Sequence, residues 1–575
     1  MPSAVPGDRT GRWTLRVSLA VLGLLVALLV GKGVRVATLP VDQMVSWNVM
    51  IDDGYYYLQV ARNLARGYGS TFDRVNRTNG YQPLWTLALV PIYWFTDDPG
   101  GGMRAALVLA VLLSGLSLVL SFVALRRLAG SGAALLFCGL VVANPYFLRI
   151  LQGGLETPIL FACMAGLAAY LSLLGRRVLA AERRACVGFG LLMAATVLAR
   201  VDTVLILLPL GLLAALWGRG WRSRFQRALW VGLPAAVVLL PYVVWSWASH
   251  GSPVPISGQV KAWVAATHTP TWELFRATEQ WRGVTRTLGE LSWPWRPDGR
   301  EPPFDAIGGR LLLPGLLLAV LALRLLWSRR ARANPTALIL LVGSSVGIAA
   351  HGLYMFFIYR SSGHWNYHYF FPFAVLHNVL LAVTGPLVLT DLALLVDRLL
   401  KGRLRRGLAA LGAALVLPLL ALLAHQGVPA AAKRYADLRR PPQQSFRKCR
   451  LDAARNIARN FPRDAVFGSW WAGTLGYFSD RRVVNLDGVV SSGEYFRRYL
   501  RTDRVDRYIL EGPVGHLIDF FWRDPLQPHA LPASRAFFWE HDKEHIFNRL
   551  RSRLRLVARF PFRGPSGMYL VDVVK

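Results

Sequence analysis

The chain alternates long apolar runs with short polar, arginine-bearing breaks. Runs near the roughly 20 residues that cross a hydrocarbon core fall at about 13–31, 104–125, 131–147, 157–174, 186–199, 203–217, 228–247, 309–327, 335–358, 372–397 and 406–424. This pattern predicts a polytopic α-helical membrane protein with about eleven transmembrane helices. The first run follows Arg9, Arg12 and Arg16 and is not followed by a small-residue cleavage site, so it reads as a retained anchor. Pro83 to Phe95 is apolar but short, and Asp97-Asp98 and a glycine run follow it. Counting it as a crossing would reverse the side of Arg126-Arg127, so it reads as a juxtamembrane or re-entrant helix.

Beyond about Gln443 the pattern changes to that of a soluble unit. It predicts a helix at Leu451 to Asn460 and extended segments at Ala465 to Gly468, Val483 to Gly488, Leu554 to Phe560 and Met568 to Val574. The expected organisation is a membrane domain at 1–435, with a large outer loop at 32–103, and a small α/β domain at 440–575.

Composition sharpens this picture. Apolar residues make up 54% of the 575, and Lys plus Arg outnumber Asp plus Glu 66 to 33, for a net charge of +33. The arginines cluster between apolar runs, where they orient a membrane protein, so the charge excess does not call for nucleic acid. Taking each cluster as cytoplasmic places the N-terminus inside and the C-terminal domain outside an inner or plasma membrane. Three of the four cysteines lie in apolar runs, which leaves Cys449 without a partner for a disulfide framework. There is no phosphate-binding glycine loop, dinucleotide fingerprint or zinc spacing.

The outer loops then hold nearly every unusual polar residue. Asp52 and Asp53 precede a helical pattern in which Leu58, Ala61 and Ala65 share a face, with Arg62, Asn63 and Arg66 off it. One aspartate suffices to cap that helix. Two, beside Tyr55-Tyr56-Tyr57, suggest a general base, with or without a metal, and rings that stack on a sugar or hold a lipid head. Glu156, in a Gly-Gly turn before a span, reads either as an interfacial carboxylate or as a second acid facing the first. Arg200 and Asp202 interrupt an apolar stretch. They read as an internal ion pair, or else Arg200 supports an anionic lipid head. Lys261, Arg360, His364 and His368 are candidates both for holding a phosphate leaving group and for interface anchoring. Trp470-Trp471 and the Asn485-Leu-Asp-Gly488 turn read as a glycan surface or as domain core.

An outward cavity without a nucleotide fold needs an activated substrate delivered in the bilayer, and a polyprenyl-phosphate sugar fits that need. An acceptor hydroxyl attacks the anomeric carbon, a carboxylate takes its proton, and the phosphate leaves, as in an inverting glycosidase. A transporter or flippase is the alternative that many spans suggest, but no internal repeat is visible.

The residues also resemble a known group, the membrane-embedded C-type (GT-C) glycosyltransferases, which include protein mannosyltransferases, lipid A aminoarabinose transferases and cell-wall arabinofuranosyltransferases. The resemblance spans roughly 10–425. It rests on Ile51-Asp-Asp-Gly-Tyr-Tyr-Tyr-Leu-Gln-Val-Ala-Arg-Asn-Leu-Ala-Arg-Gly67 followed by Thr78-Asn-Gly-Tyr-Gln-Pro-Leu-Trp85. It implies that Asp52 is the catalytic base, that Glu156 is the acid of the second outer loop, and that Lys261 lies near the donor phosphate. It also implies a lipid-phosphate donor and a glycan, lipid or protein acceptor. The segment from His364 resembles the aromatic stretch before a late span, but lacks the arginine that relatives carry there, which weakens His368 as a phosphate ligand. Metal use differs among members, so a divalent metal stays open, and no nucleotide cofactor is expected.

Overall fold

The computed structural model describes residues 8–218, 220–268, 335–355, most of 371–383, 445–522, 524–526, 538–563 and 566–575. The apolar runs form helices wherever they are described: α1 (Asp8–Ala37), α3 (Pro99–Ala129), α4 (Ser131–Ala143), α5 (Thr157–Leu179), α6 (Arg183–Ala199), α7 (Val204–Leu216), α8 (Trp221–His250) and α10 (Pro335–Tyr354). Five of the described helices are long and apolar enough to cross a bilayer. Helix α3 shows how these elements start: the Asp98 carboxylate accepts from the Gly100 and Gly101 N–H groups, and Pro99 occupies the first turn. The expected spans at 309–327 and 406–424, and most of 372–397, lie outside the described residues.

Helix α2 (Asp52–Ala65) begins at the acidic pair, as the periodicity predicts. It does not lie open on a membrane surface, however. Its residues from Gly54 to Asn63 are all buried, the polar Arg62 and Asn63 among them. The C-terminal unit covers that polar face: Arg62 donates to the Tyr477 carbonyl at 2.8 Å and stacks over the Tyr477 ring. Asn63 closes the following loop by donating to the Thr71 and Phe72 carbonyls. The Pro83 to Phe95 stretch forms two short helices, Pro83–Leu89 and Ile92–Phe95, too short to span. Helix α9 (Ile256–His268) follows α8.

The C-terminal unit contains helices α11 (Phe446–Asn460) and α12 (Ala472–Ser479) and a five-stranded sheet. The strands are β1 (Val466–Ser469), β2 (Arg482–Asn485), β3 (His516–Phe521), β4 (Leu554–Arg563) and β5 (Ser566–Val573), in the order β2-β1-β3-β5-β4. Strand β1 pairs in parallel with β2 and β3, and the β3-β5-β4 side is antiparallel. One apolar core runs through this unit and the outer loop: Tyr55, Leu58, Val60 and Trp85 belong with Leu451, Trp470, Val484 and Leu517. The burial of that shared surface fixes the outer unit to the first loop.

Candidate functional site

The two adjacent aspartates have opposite surroundings. Asp52 turns into the junction with the C-terminal unit. Its carboxylate accepts from the Thr474 N–H at 3.0 Å, the Thr474 hydroxyl at 2.7 Å and the Gly473 N–H at 3.1 Å. Arg450 stands 3.9 Å away, and the carboxylate is 8% exposed. These donors sit at the start of α12, so Asp52 acts as that helix's acidic cap from across the chain. Residue 473 must be glycine here, because a Cβ would collide with the Asp52 carbonyl oxygen.

Asp53 turns the other way. Its side chain is 40% exposed and lies 3.7 Å from the Lys261 ammonium on α9. Partial removal from water raises its pKa above the usual carboxylate range, Lys261 opposes the rise and Asp52 adds to it. A third carboxylate, Asp487, feels both Asp53 and Lys261. Burial pushes its pKa up to about 8, the hydrogen bond from the Val489 N–H opposes this, and the charge on Asp53 reinforces it. Asp53 and Asp487 thus share the charge of Lys261, while the Asp52 carboxylate is held by the donors at the start of α12.

Glu156 is not open to this space. It is 5% exposed on its side chain, accepts from the Tyr57 hydroxyl at 2.9 Å and lies 3.3 Å from Arg200. Arg200 also holds Asp202 at 2.8 and 3.0 Å, and His351 lies 3.2 Å from Oδ2, one of the two Asp202 oxygens that Arg200 contacts. The Arg200–Asp202 ion pair is present and is extended to four groups by Glu156 and His351. Backbone contacts seat this cluster under the first loop: the Ile51 N–H donates to the Gly153 carbonyl at 3.2 Å, and the Trp85 indole donates to the Gly154 carbonyl at 3.0 Å.

Tyr55 and Tyr56 do not present rings to a ligand. Tyr55 is 1% exposed and stacks on Tyr477 with ring centroids 5.7 Å apart. Tyr56 is 4% exposed, and its hydroxyl accepts from the Asn485 amide at 3.1 Å. Both lie under the C-terminal unit, which was invisible as a cover in the local sequence. Trp470 is core, packed on Phe547. Arg360, His364 and His368 lie outside the described residues. Among the described residues, no three His, Cys, Asp or Glu side chains come together as a metal ion needs.

Sequence reasoning missed Asp487 as an acid of this site, along with Thr474 and His351, and read Tyr57 as a ligand-facing ring where it donates to Glu156. The Asn485-Leu-Asp-Gly488 turn signal was present, but nothing local tied it to residue 53.

No family model matches the chain, and no curated protein matches it. Among solved structures it is similar to the oligosaccharyltransferase of Archaeoglobus fulgidus. The form tethered to an acceptor peptide aligns with a TM-score of 0.55 at 13% identity, covering 96% of this chain and 74% of that one. The apo form aligns with a TM-score of 0.52 at 13% identity, covering 87% and 69%. ArnT from Cupriavidus metallidurans bound to undecaprenyl phosphate aligns over 98% of both chains at 15% identity, but its TM-score of 0.43 carries no argument. The likeness to the oligosaccharyltransferase is one of fold: a polytopic arrangement of apolar helices with a C-terminal α/β unit.

Proposed function

We propose that the protein is a membrane glycosyltransferase that moves a sugar from a polyprenyl-phosphate donor to a cell-envelope glycan, lipid or protein acceptor. The reaction takes place on the extracytoplasmic face of the inner or plasma membrane, with the N-terminus cytoplasmic, as the basic clusters favour. The observation that carries this reading is the pairing of a half-exposed Asp53 with Lys261 at 3.7 Å, in a fold similar to that of the oligosaccharyltransferase. Asp53, rather than Asp52, takes the base's role, because three hydrogen bonds and Arg450 already occupy the Asp52 carboxylate.

In the reaction, an acceptor oxygen forms a bond to the anomeric carbon as the bond from that carbon to the phosphate oxygen breaks. Asp53 takes the hydroxyl proton, and the lipid phosphate departs with the bonding pair. Lys261, 3.7 Å from Asp53, supplies positive charge on the acceptor side that favours the ionised carboxylate needed for this proton transfer. Attack from the face opposite the phosphate inverts the anomeric centre. An apolar cavity of about 260 Å³ among the spans is lined by Phe137, Phe161, Leu210 and Ile348, and suits part of a polyprenyl chain. It also touches Thr203, next to the Glu156–Arg200–Asp202 cluster.

The test is release of polyprenyl phosphate together with sugar transfer in proteoliposomes. Coupled release and transfer support the proposal. Passage of the intact lipid-linked sugar across sealed vesicles, with no glycosidic bond broken, would contradict it and favour a flippase.

A further inference from the structure

The turn after β2 is held rigidly against the proposed site. The Leu486 N–H donates to the Ser469 carbonyl at 2.9 Å, and the Tyr495 hydroxyl donates to the Leu486 carbonyl at 2.7 Å. Asn485 reaches across to the Tyr56 hydroxyl. Gly488 has φ 84°, in the left-handed region, and is packed by Leu500, with Tyr495 and Val260, the neighbour of Lys261 on α9, close beside it. On the opposite side, Gly80 approaches the Val489 carbonyl so closely that a Cβ would collide with it. Every residue from Val483 to Val490 is buried except Asp487. A rigid turn whose one partly exposed residue is an aspartate, held by the Val489 N–H and lying beside the partly exposed Asp53 and Lys261, has the form of a ligand contact.

We propose that Asp487 is a substrate-holding residue of this site, contributed by the C-terminal unit, which binds a sugar or acceptor hydroxyl beside Asp53. This rests on the glycosyltransferase reading above. The chemistry follows from the charges facing Asp487. Helix α2 presents Asp53 and the Tyr56 hydroxyl, α9 presents Lys261, and the Asn485 side chain and Val489 N–H donate from the turn itself. Arg450 neutralises Asp52, and among the described residues Lys261 is the cation that acts on both Asp53 and Asp487. One of them stays protonated at neutral pH, and a protonated carboxyl both donates to and accepts from a neutral hydroxyl. Asp487 holds that proton and Asp53 remains the base, a division of roles between two carboxyls set by their environments. The C-terminal unit therefore completes the site, in addition to covering the first loop.

Two measurements test this. The first is the pH dependence of transfer for wild type, Asp487→Asn and Asp487→Ala. The wild-type rate is expected to fall above about pH 8 as Asp487 loses its proton. Asp487→Asn, which keeps a donor and an acceptor but has no proton to lose in this range, should lose that fall. Asp487→Ala should raise the acceptor or donor KM about tenfold or more, a hydrogen bond's worth of binding. An Asp487→Asn profile that superimposes on wild type, or an unchanged KM in Asp487→Ala, would overturn the proposal. The second needs no activity: infrared titration of the folded protein should show a protonated carboxyl band at pH 7 that disappears near pH 8 and is missing from Asp487→Asn. Its absence in wild type also overturns the proposal. A missing transfer reaction in wild type, with the band present, would count against the glycosyltransferase reading alone.

Discussion

The Asp52 carboxylate and Thr474 form two hydrogen bonds, one from the threonine hydroxyl at 2.7 Å and one from its N–H at 3.0 Å, across 422 residues of sequence. They join the first outer loop to the C-terminal unit at the start of α12. The Asp53 side chain points instead toward Lys261, 3.7 Å away.

Removing the Asp52 carboxylate should cost stability. Asp52→Ala leaves Arg450 buried beside Trp471 without its carboxylate, and frees the Gly473 and Thr474 N–H groups. The expected loss is about 2–4 kcal/mol, from charge-assisted hydrogen bonds and an uncompensated buried cation. A lowered thermal midpoint in detergent checks it. Thr474→Val, which removes only the hydroxyl, should cost about 1 kcal/mol.

Gly473→Ala should be at least as damaging as Thr474→Val, since its Cβ would meet both the Asp52 carbonyl and the Asp52 carboxylate. Limited proteolysis between the membrane domain and the C-terminal unit, faster in the variant than in wild type, is the readout.

The buried cluster around Arg200 should behave differently from the site. Arg200→Ala strands Glu156 and Asp202, both held by its guanidinium. Breaking such a buried arrangement costs about 3–5 kcal/mol. Loss of folded protein at ordinary growth temperature is expected, whereas donor affinity measured on any folded fraction should be near normal. A folded variant with a large, selective rise in donor KM would contradict the assignment of Arg200 to structure.

The pH dependence of stability follows from Asp487. Its folded pKa, about 8, lies above that of an unfolded aspartate, about 4. Between those values the unfolded chain has released a proton that the folded protein keeps, so stability falls as pH rises through this window and levels off above it. Asp487→Asn removes the effect. Its midpoint should match wild type near pH 4 and exceed it increasingly toward pH 8, as thermal melts across that range would show.

Much of this was legible in the chain. The apolar runs and the acidic pair before a helical period placed the described spans and the start of α2, since both signals are local. The choice between Asp52 and Asp53 was not local: it depends on Thr474 and Lys261, which the fold brings in from far along the sequence. Tyr55 and Tyr56 read as exposed rings because nothing nearby reveals that the C-terminal unit covers them. Strand β3 escaped notice because five of its six residues are buried, which erases the alternation that marks a half-buried strand. Arg200 and Asp202 stood as an ion pair or a lipid contact, and the nearby Glu156 and His351 account for the former.

The most direct test of the central claim compares Asp53→Asn with Asp52→Asn in reconstituted membranes, using a panel of radiolabelled polyprenyl-phosphate sugars. Loss of the base's proton transfer is expected to lower the Asp53→Asn rate by about 10²–10⁴-fold while its thermal midpoint holds. Asp52→Asn should lower the midpoint and retain a measurable rate per folded molecule. Full transfer by a folded Asp53→Asn variant would contradict the account, because it would move the chemistry away from the pair formed by Asp53 and Lys261.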